Sequence, residues 1–323
     1  MRRVTGDPVQ GEATISLSPG TTPASRAGCH DAQETSLRDR LLLALLIVIW
    51  AISWPAVKAG IATIPPIWYA CFRYWIATLS LFVFGAVRHD VTLPPRSDWR
   101  LVAVSGVLQM ATYSVLTGLA LTILPPGRAS VLAFSTPIWV VPLAAWWLRE
   151  HASRRALCGV GLGILGVLTI AAPSLRPDGA EQALAYAMLL GAAAAWAVSI
   201  VVVRAHRFTA TALALAPWQM LVAGCVLLPF ALLVEGAPQP IGLSGAVSLA
   251  YVGPLATAFA YWAVVEVGRR ISASAMSMAL LAAPCLGSMI SAITFGETIG
   301  VSLVAGVTLV GVGVRLATGA PLR

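Results

Sequence analysis

The sequence predicts an all-α integral membrane protein of ten transmembrane helices, arranged as two five-helix repeats of inverted topology. Three observations carry that prediction: the length of the apolar runs, the placement of the basic residues, and a residue register that recurs about 147 positions along the chain.

Of 323 residues, 58% are hydrophobic and 11% charged, with a mean hydropathy of +0.84. Soluble domains hold about 25% charged residues, so lipid is the expected solvent. The apolar residues gather in runs near the roughly 20 residues that carry a helix through about 30 Å of hydrocarbon. These runs cover 41–61, 67–87, 100–121, 129–148, 155–173, 183–203, 211–233, 245–267, 272–294 and 299–318. They are predicted as helices because backbone polar groups in lipid must be satisfied within their own segment. The period-two alternation of a membrane barrel is absent.

The net charge of +8 reads as topology. With the N-terminus inside, 17 of the 21 basic residues fall on the cytoplasmic side, and only Arg128 and Arg176 on the other. The positive-inside rule then puts both termini in the cytoplasm, and no nucleic-acid partner is expected. The cysteines, Cys29, Cys71, Cys158, Cys225 and Cys285, are scattered and odd in number, so neither a disulfide nor a metal site is expected. Residues 1–38 are polar and rich in Gly, Pro, Ser and Thr. They lack the apolar core of a signal peptide and are expected to form a disordered cytoplasmic tail.

The two repeats are predicted over 39–173 and 182–318. Ser130, Pro137 and Glu150 match Ser277, Pro284 and Glu297 at an offset of 147. Gly159 and Gly166 match Gly306 and Gly313 in the same register, Trp50 matches Trp196 at 146, and Tyr113 matches Tyr261 at 148. Five is odd, so the second repeat crosses the bilayer in the opposite sense. Inverted repeats suit alternating access, because exchanging the conformations of the halves moves the opening from one side to the other.

The stretch WAISWPAVKAG, followed by PPIWYACFRYWIA and then by Tyr113, Ala129-Ser130, Pro137 and a helix-ending Glu150, resembles the EamA-type transporters of the drug/metabolite transporter superfamily. The resemblance covers about 39–318. It implies export of small organic metabolites across the bacterial inner membrane, amino acids foremost, with neutral or aromatic ones among them. No cofactor and no enzymatic activity are expected. The usual Trp-Gly of the first helix is Trp50-Ala51 here.

Lys58 and Arg73 are the basic residues well inside the spans. A charge at mid-helix costs roughly 2.5–3.5 kcal/mol on insertion scales and so faces protein or a wet cavity. One reading makes them a paired positive site for a substrate carboxylate. The other has Lys58 snorkelling or both charges touching backbone carbonyls. Trp50 and Trp54 lie on the Lys58 side of their helix, placed either to stack on a ligand or to pack helices. Trp68, Trp99, Trp146 and Trp147, near span ends, are expected as interfacial anchors. Gln219 stands where the second repeat answers Arg73, with Trp196, Tyr113 and Tyr261 as further candidate lining residues.

Pro55, Pro137, Pro217, Pro254 and Pro284 fall inside the spans, and each removes a backbone hydrogen bond. Pro137 and Pro284, kept in both repeats, are candidate hinges, or kinks that shape a static cavity. No carboxylate lies deep in a span, which disfavours simple proton antiport and suits facilitated export. Gly161, Gly163 and Gly166 spell GxGxxG without the preceding strand that a dinucleotide site needs. They suit close helix packing, within the chain or in a dimer. Efflux of toxic compounds is the rival transport reading, with Lys58 and Arg73 set against cations. An integral-membrane enzyme is disfavoured, since His30, His89, His151 and His206 all fall in tails or loops.

Overall fold

The computed structural model describes residues 37–88, 92–149, 153–171, 179–206, 209–268, 276, 280, 282–296 and 298–318. Among these residues there is helix and no strand. The helices are α1 (Leu37–Ile61), α2 (Pro66–Val87), α3 (Trp99–Ile123), α4 (Pro126–Trp147), α5 (Arg154–Ala171), α6 (Ala180–Ala205), α7 (Ala212–Val234), α8 (Leu243–Val267), α9 (Ala282–Phe295) and α10 (Val301–Thr318). Seven of them, α1 to α4 and α6 to α8, are long and apolar enough to cross a membrane; α9 and α10 are shorter apolar helices. The helix α1 begins at Leu37, two residues inside the predicted tail. Glu150, Ser277 and Glu297, on which part of the repeat register rests, lie outside the described residues.

The outer faces explain why lipid is needed. On α1, Leu37, Leu41, Leu45, Val48 and Ile52 are exposed, at the three- and four-residue steps that mark one side of a helix. On α2 the exposed stripe is Trp75, Leu79, Val83 and Val87. Continuous apolar stripes of this extent mark a surface made for a membrane or a partner. The opposite faces pack inward, with Leu46 and Cys71 fully buried.

Helix ends are closed by side chains. Glu235, just after α7, accepts hydrogen bonds from the backbone N–H groups of Ile67 and Trp68 at 2.9 and 2.8 Å. A carboxylate there answers both the orphan donors and the positive end of the α2 dipole. Trp68 is buried and donates its indole N–H to the Gly236 carbonyl at 3.0 Å. It is therefore a packing residue, correcting its prediction as an anchor, while Trp99, Trp146 and Trp147 are exposed. Before α3, the fully buried Asp98 accepts from Ala210 N–H at 2.9 Å and Thr209 N–H at 3.1 Å. It thereby ties the start of α3 to the loop that enters α7.

Two helices change pitch midway. Within α3, Ser105–Thr112 winds as π-helix, and within α8, Val252–Phe259 does the same. The two segments begin 147 residues apart. Pro254 lacks the N–H that an α-helical turn requires, which accounts for the second. Both have glycine at their second position, where a side chain would strike a neighbour. A Cβ on Gly106 would lie 2.7 Å from the Gln219 carbonyl, and one on Gly253 would lie 2.6 Å from Ile76. The helix α4 is broken after Ala133, and Pro137 opens its second half without an interior N–H to lose. Carbonyls freed by the break take hydroxyl donors: Ser135 to Leu132 at 2.6 Å and Thr136 to Ala133 at 3.1 Å.

The glycines of α5 and α10 form a seam inside the chain. A Cβ on Gly166 would lie 2.8 Å from the Gly306 carbonyl, and one on Gly313 would lie 2.6 Å from the Gly159 carbonyl. Helices approach this closely only where both surfaces lack side chains. Other pairings are α2 with α7, α1 with α9, α4 with α6, α3 with α6 and α7, and α8 with α1 and α2.

Gly166→Ala and Gly313→Ala are expected to cost about 1–3 kcal/mol each by overpacking, read as a fall in detergent melting temperature. Gly161 and Gly311, with open space around them, are the controls; their alanine variants should melt no lower than the parent. The Asp98 carboxyl is held below its usual range, chiefly by the Ala210 N–H, with Thr209 and Ser97 adding and burial opposing. Its contribution is thus present above the unfolded value of about 3.9 and is lost as the pH falls through the lower folded value. Asp98→Asn should melt below the parent at neutral pH, with the gap closing as the pH drops below about 4.

Candidate functional site

A cavity of about 190 Å³ lies among α1, α2, α3, α4, α6, α7 and α8. Both π-helical segments reach its wall: Gln109 and Met110 from one, Ala256 and Thr257 from the other, in the same 147-residue register. A π turn widens the helix by one residue and re-aims its side chains, and such turns concentrate at functional sites. The break in α4 contributes Phe134.

Of the residues predicted from sequence, Trp50, Trp54, Arg73, Tyr113, Trp196 and Tyr261 all line this cavity. Trp50 donates its indole N–H to the Ala256 carbonyl at 3.1 Å, which ties α1 to the π segment of α8. Its ring meets Phe134 edge-on, 6.2 Å between centroids. Tyr113 and Trp196 form a second edge-on pair at 4.7 Å. The half-buried Arg73 donates through Nε to the Thr257 hydroxyl at 2.7 Å, and its guanidinium carbon lies 5.5 Å from the Tyr74 ring centroid. Thr257 in turn donates to the Val252 carbonyl at 2.8 Å. That bond spans five residues, so the π turn positions the hydroxyl that holds Arg73.

Gln219 sits one layer back. It is buried, and its Oε1 accepts from the Tyr261 hydroxyl at 3.0 Å. Lys58 is elsewhere. Its ammonium donates to the carbonyls of Leu121, Thr122 and Leu124, the latter two at 3.3 and 3.4 Å. These are C-terminal carbonyls of α3 and just beyond, where a cation meets both unsatisfied acceptors and the negative end of the dipole. The structure therefore does not bring Lys58 and Arg73 into one site. Lys58 fixes the end of α3, and Leu121 on that helix is part of the cavity wall.

Pro137 follows the break that presents Phe134, and Pro284 lies in α9. The Pro284 carbonyl accepts from the Ser288 hydroxyl at 2.8 Å, and Ser288 also reaches the Gly127 carbonyl of α4 at 3.3 Å. Sequence reasoning missed Gln109, Phe134 and Thr257. Gln109 carried a signal, as an amide in an otherwise apolar run. It accepts from the buried Ser199 hydroxyl at 3.3 Å. Phe134 and Thr257 carried none, being ordinary residues for a membrane helix.

Relatives agree with a membrane transporter. The chain is 24% identical to the uncharacterized transporter YoaV of Bacillus subtilis (strain 168), over 86% of this chain and 97% of the relative. It is 27% identical to a probable amino-acid metabolite efflux pump of Salmonella typhimurium, over 87% and 95% of the two chains. It is 26% identical to a probable terminal-alkyne amino-acid exporter of Streptantibioticus cattleyicolor, over 79% and 84%. A crystal structure shares the fold with a TM-score of 0.60 and 21% identity, over 87% of this chain and 96% of the other. With matches over residues 40–172 and again over 183–319, the chain belongs to the EamA-like transporter family.

Proposed function

We propose that the protein exports small organic metabolites that carry a carboxylate, amino acids and their derivatives foremost, across the bacterial inner membrane. In this reading ten helices cross the bilayer as two inverted halves, 39–173 and 182–318, with both termini cytoplasmic. Alternating access exchanges the conformations of the halves around the central cavity, with Pro137 and Pro284 as hinges. The observation that carries the reading is the cavity wall. Register-matched positions of both halves meet there: Trp50 and Trp196, Tyr113 and Tyr261, Met110 and Thr257.

Arg73 is the partner for the substrate carboxylate and the aromatic residues hold its apolar body. Lys58 is a positioning residue that fixes α3. Among the described residues no carboxylate lines the cavity, which favours movement down the substrate's own gradient over proton exchange. The names of the efflux-pump and exporter relatives support the direction of transport.

Single cysteines at positions 150 and 297 should label from opposite sides of sealed membranes with an impermeant maleimide; labelling from one side ends the inverted-half reading. In proteoliposomes, Arg73→Gln should raise KM for amino-acid-derived substrates by about tenfold or more, the loss of a charge-assisted hydrogen bond. Lys58→Met should lower the melting temperature and the maximal rate while leaving KM within about twofold. Uptake of cationic dyes in place of carboxylates would replace this proposal with toxic-compound efflux. With the membrane potential clamped, a protonophore should leave the initial rate unchanged.

A further inference from the structure

We propose that the preferred substrate is a net anion, an aromatic or apolar monocarboxylate whose amine is acylated or absent, and that free zwitterionic amino acids are poor ligands. This rests on the exporter reading and narrows its substrate class.

The inference follows from what the cavity offers. Among the described residues Arg73 is its one cationic lining residue, half-buried, and no carboxylate pairs with it. Its Nε is taken by Thr257, which leaves the terminal nitrogens of the guanidinium for a ligand. A planar fork of this kind matches a carboxylate. The remaining unengaged groups are mostly donors. The Trp54 and Trp196 indole N–H groups and the Tyr113 hydroxyl have no hydrogen-bond partner among the described residues, yet are not sealed from the cavity. Gln109 spends its Oε1 on Ser199 and keeps its amide N–H groups.

The strong acceptors are occupied. The Thr257 hydroxyl accepts from Arg73 and donates to Val252, and the Trp50 and Met110 carbonyls take the hydroxyls of Ser53 and Tyr74. The described carboxylates stand at helix ends: Asp39 opens α1, Asp98 precedes α3, Glu181 opens α6, Glu235 follows α7 and Glu266 ends α8, all outside the cavity lining. A bound ammonium would be stripped of water, set near Arg73, and left with ring faces and the lone pairs of the neutral Ser53, Tyr113 and Thr117 hydroxyls. Cation–π attraction is small beside the cost of an unpaired desolvated charge. An N-acyl group removes that charge and presents a carbonyl acceptor to the free donors, while the aromatic rings hold the apolar body.

Phenylalanine, N-acetylphenylalanine and phenethylamine separate the possibilities, because none fluoresces where the protein's tryptophans do. Each is titrated against the full-length protein in detergent, with tryptophan emission as the readout, and then tested as a competitor of transport in proteoliposomes. N-acetylphenylalanine should bind at least about tenfold tighter than phenylalanine, with phenethylamine weakest. Arg73→Lys should keep that order with weaker binding. Arg73→Gln should remove the preference while its unchanged melting temperature shows it folded; if Arg73→Gln does not fold, the Arg73→Lys order decides. Equal or tighter binding of phenylalanine overturns the inference and leaves the exporter reading standing. Preferred binding of phenethylamine overturns both, and binding of none of the three overturns the inference.

Discussion

Every backbone polar group in hydrocarbon must find its partner inside the protein, and the architecture follows from that demand. Helices satisfy their interiors at no cost, so the difficulty collects at ends, breaks and changes of pitch. Charged side chains close the ends: Glu235 takes two N–H groups of α2, Asp98 ties the entry of α7, and Lys58 covers carbonyls at the end of α3. Hydroxyls close the break in α4 through Ser135 and Thr136. A charge that would burden an insertion scale thus becomes the cheapest way to finish a helix.

Close approach is the second theme, and it recurs in register. Gly166 meets Gly306 and Gly313 meets Gly159, one contact on each side of the α5–α10 seam. Gly106 lies against the Gln219 carbonyl, while Gly253 lies against Ile76 and the backbone of Arg73. In both cases the glycine belongs to a π-helical segment whose later residues reach the cavity. Glycine lets α3 and α8 press onto α7 and α2, and the widened turn then directs Gln109 and Thr257 inward.

Much of this was legible in the sequence. Apolar run length marked the described helices to within a few residues, save the start of α9, where most of the predicted residues 272–281 lie outside the described ones, because the hydrocarbon sets helix length directly. The register between Trp50 and Trp196, and between Tyr113 and Tyr261, pointed to residues that share one cavity. What escaped was whatever depends on where a helix ends in space. Lys58 sits in its own helix at a spacing that suggests partnership with Trp50 and Trp54. Its real partners are carbonyls 63 to 66 residues away in the chain, and carbonyls leave no trace in side-chain identity. Trp68 looked like an anchor because it lies near a span end, yet the chain beyond α7 folds over it through Gly236. The π turns left no signature in apolar periodicity beyond Pro254.

The guanidinium of Arg73, with no carboxylate partner among the described residues, also bears on what drives the cycle. If the site travels between the two faces with its charge uncompensated when empty and cancelled when a monoanion is bound, the loaded step is blind to voltage and the empty return is not. An interior-negative cell then pulls the vacant site back toward the cytoplasm, worth about 2.3 kcal/mol per elementary charge per 100 mV. One half-buried arginine would make outward transport electrogenic, harvesting the membrane potential without any titrating carboxylate.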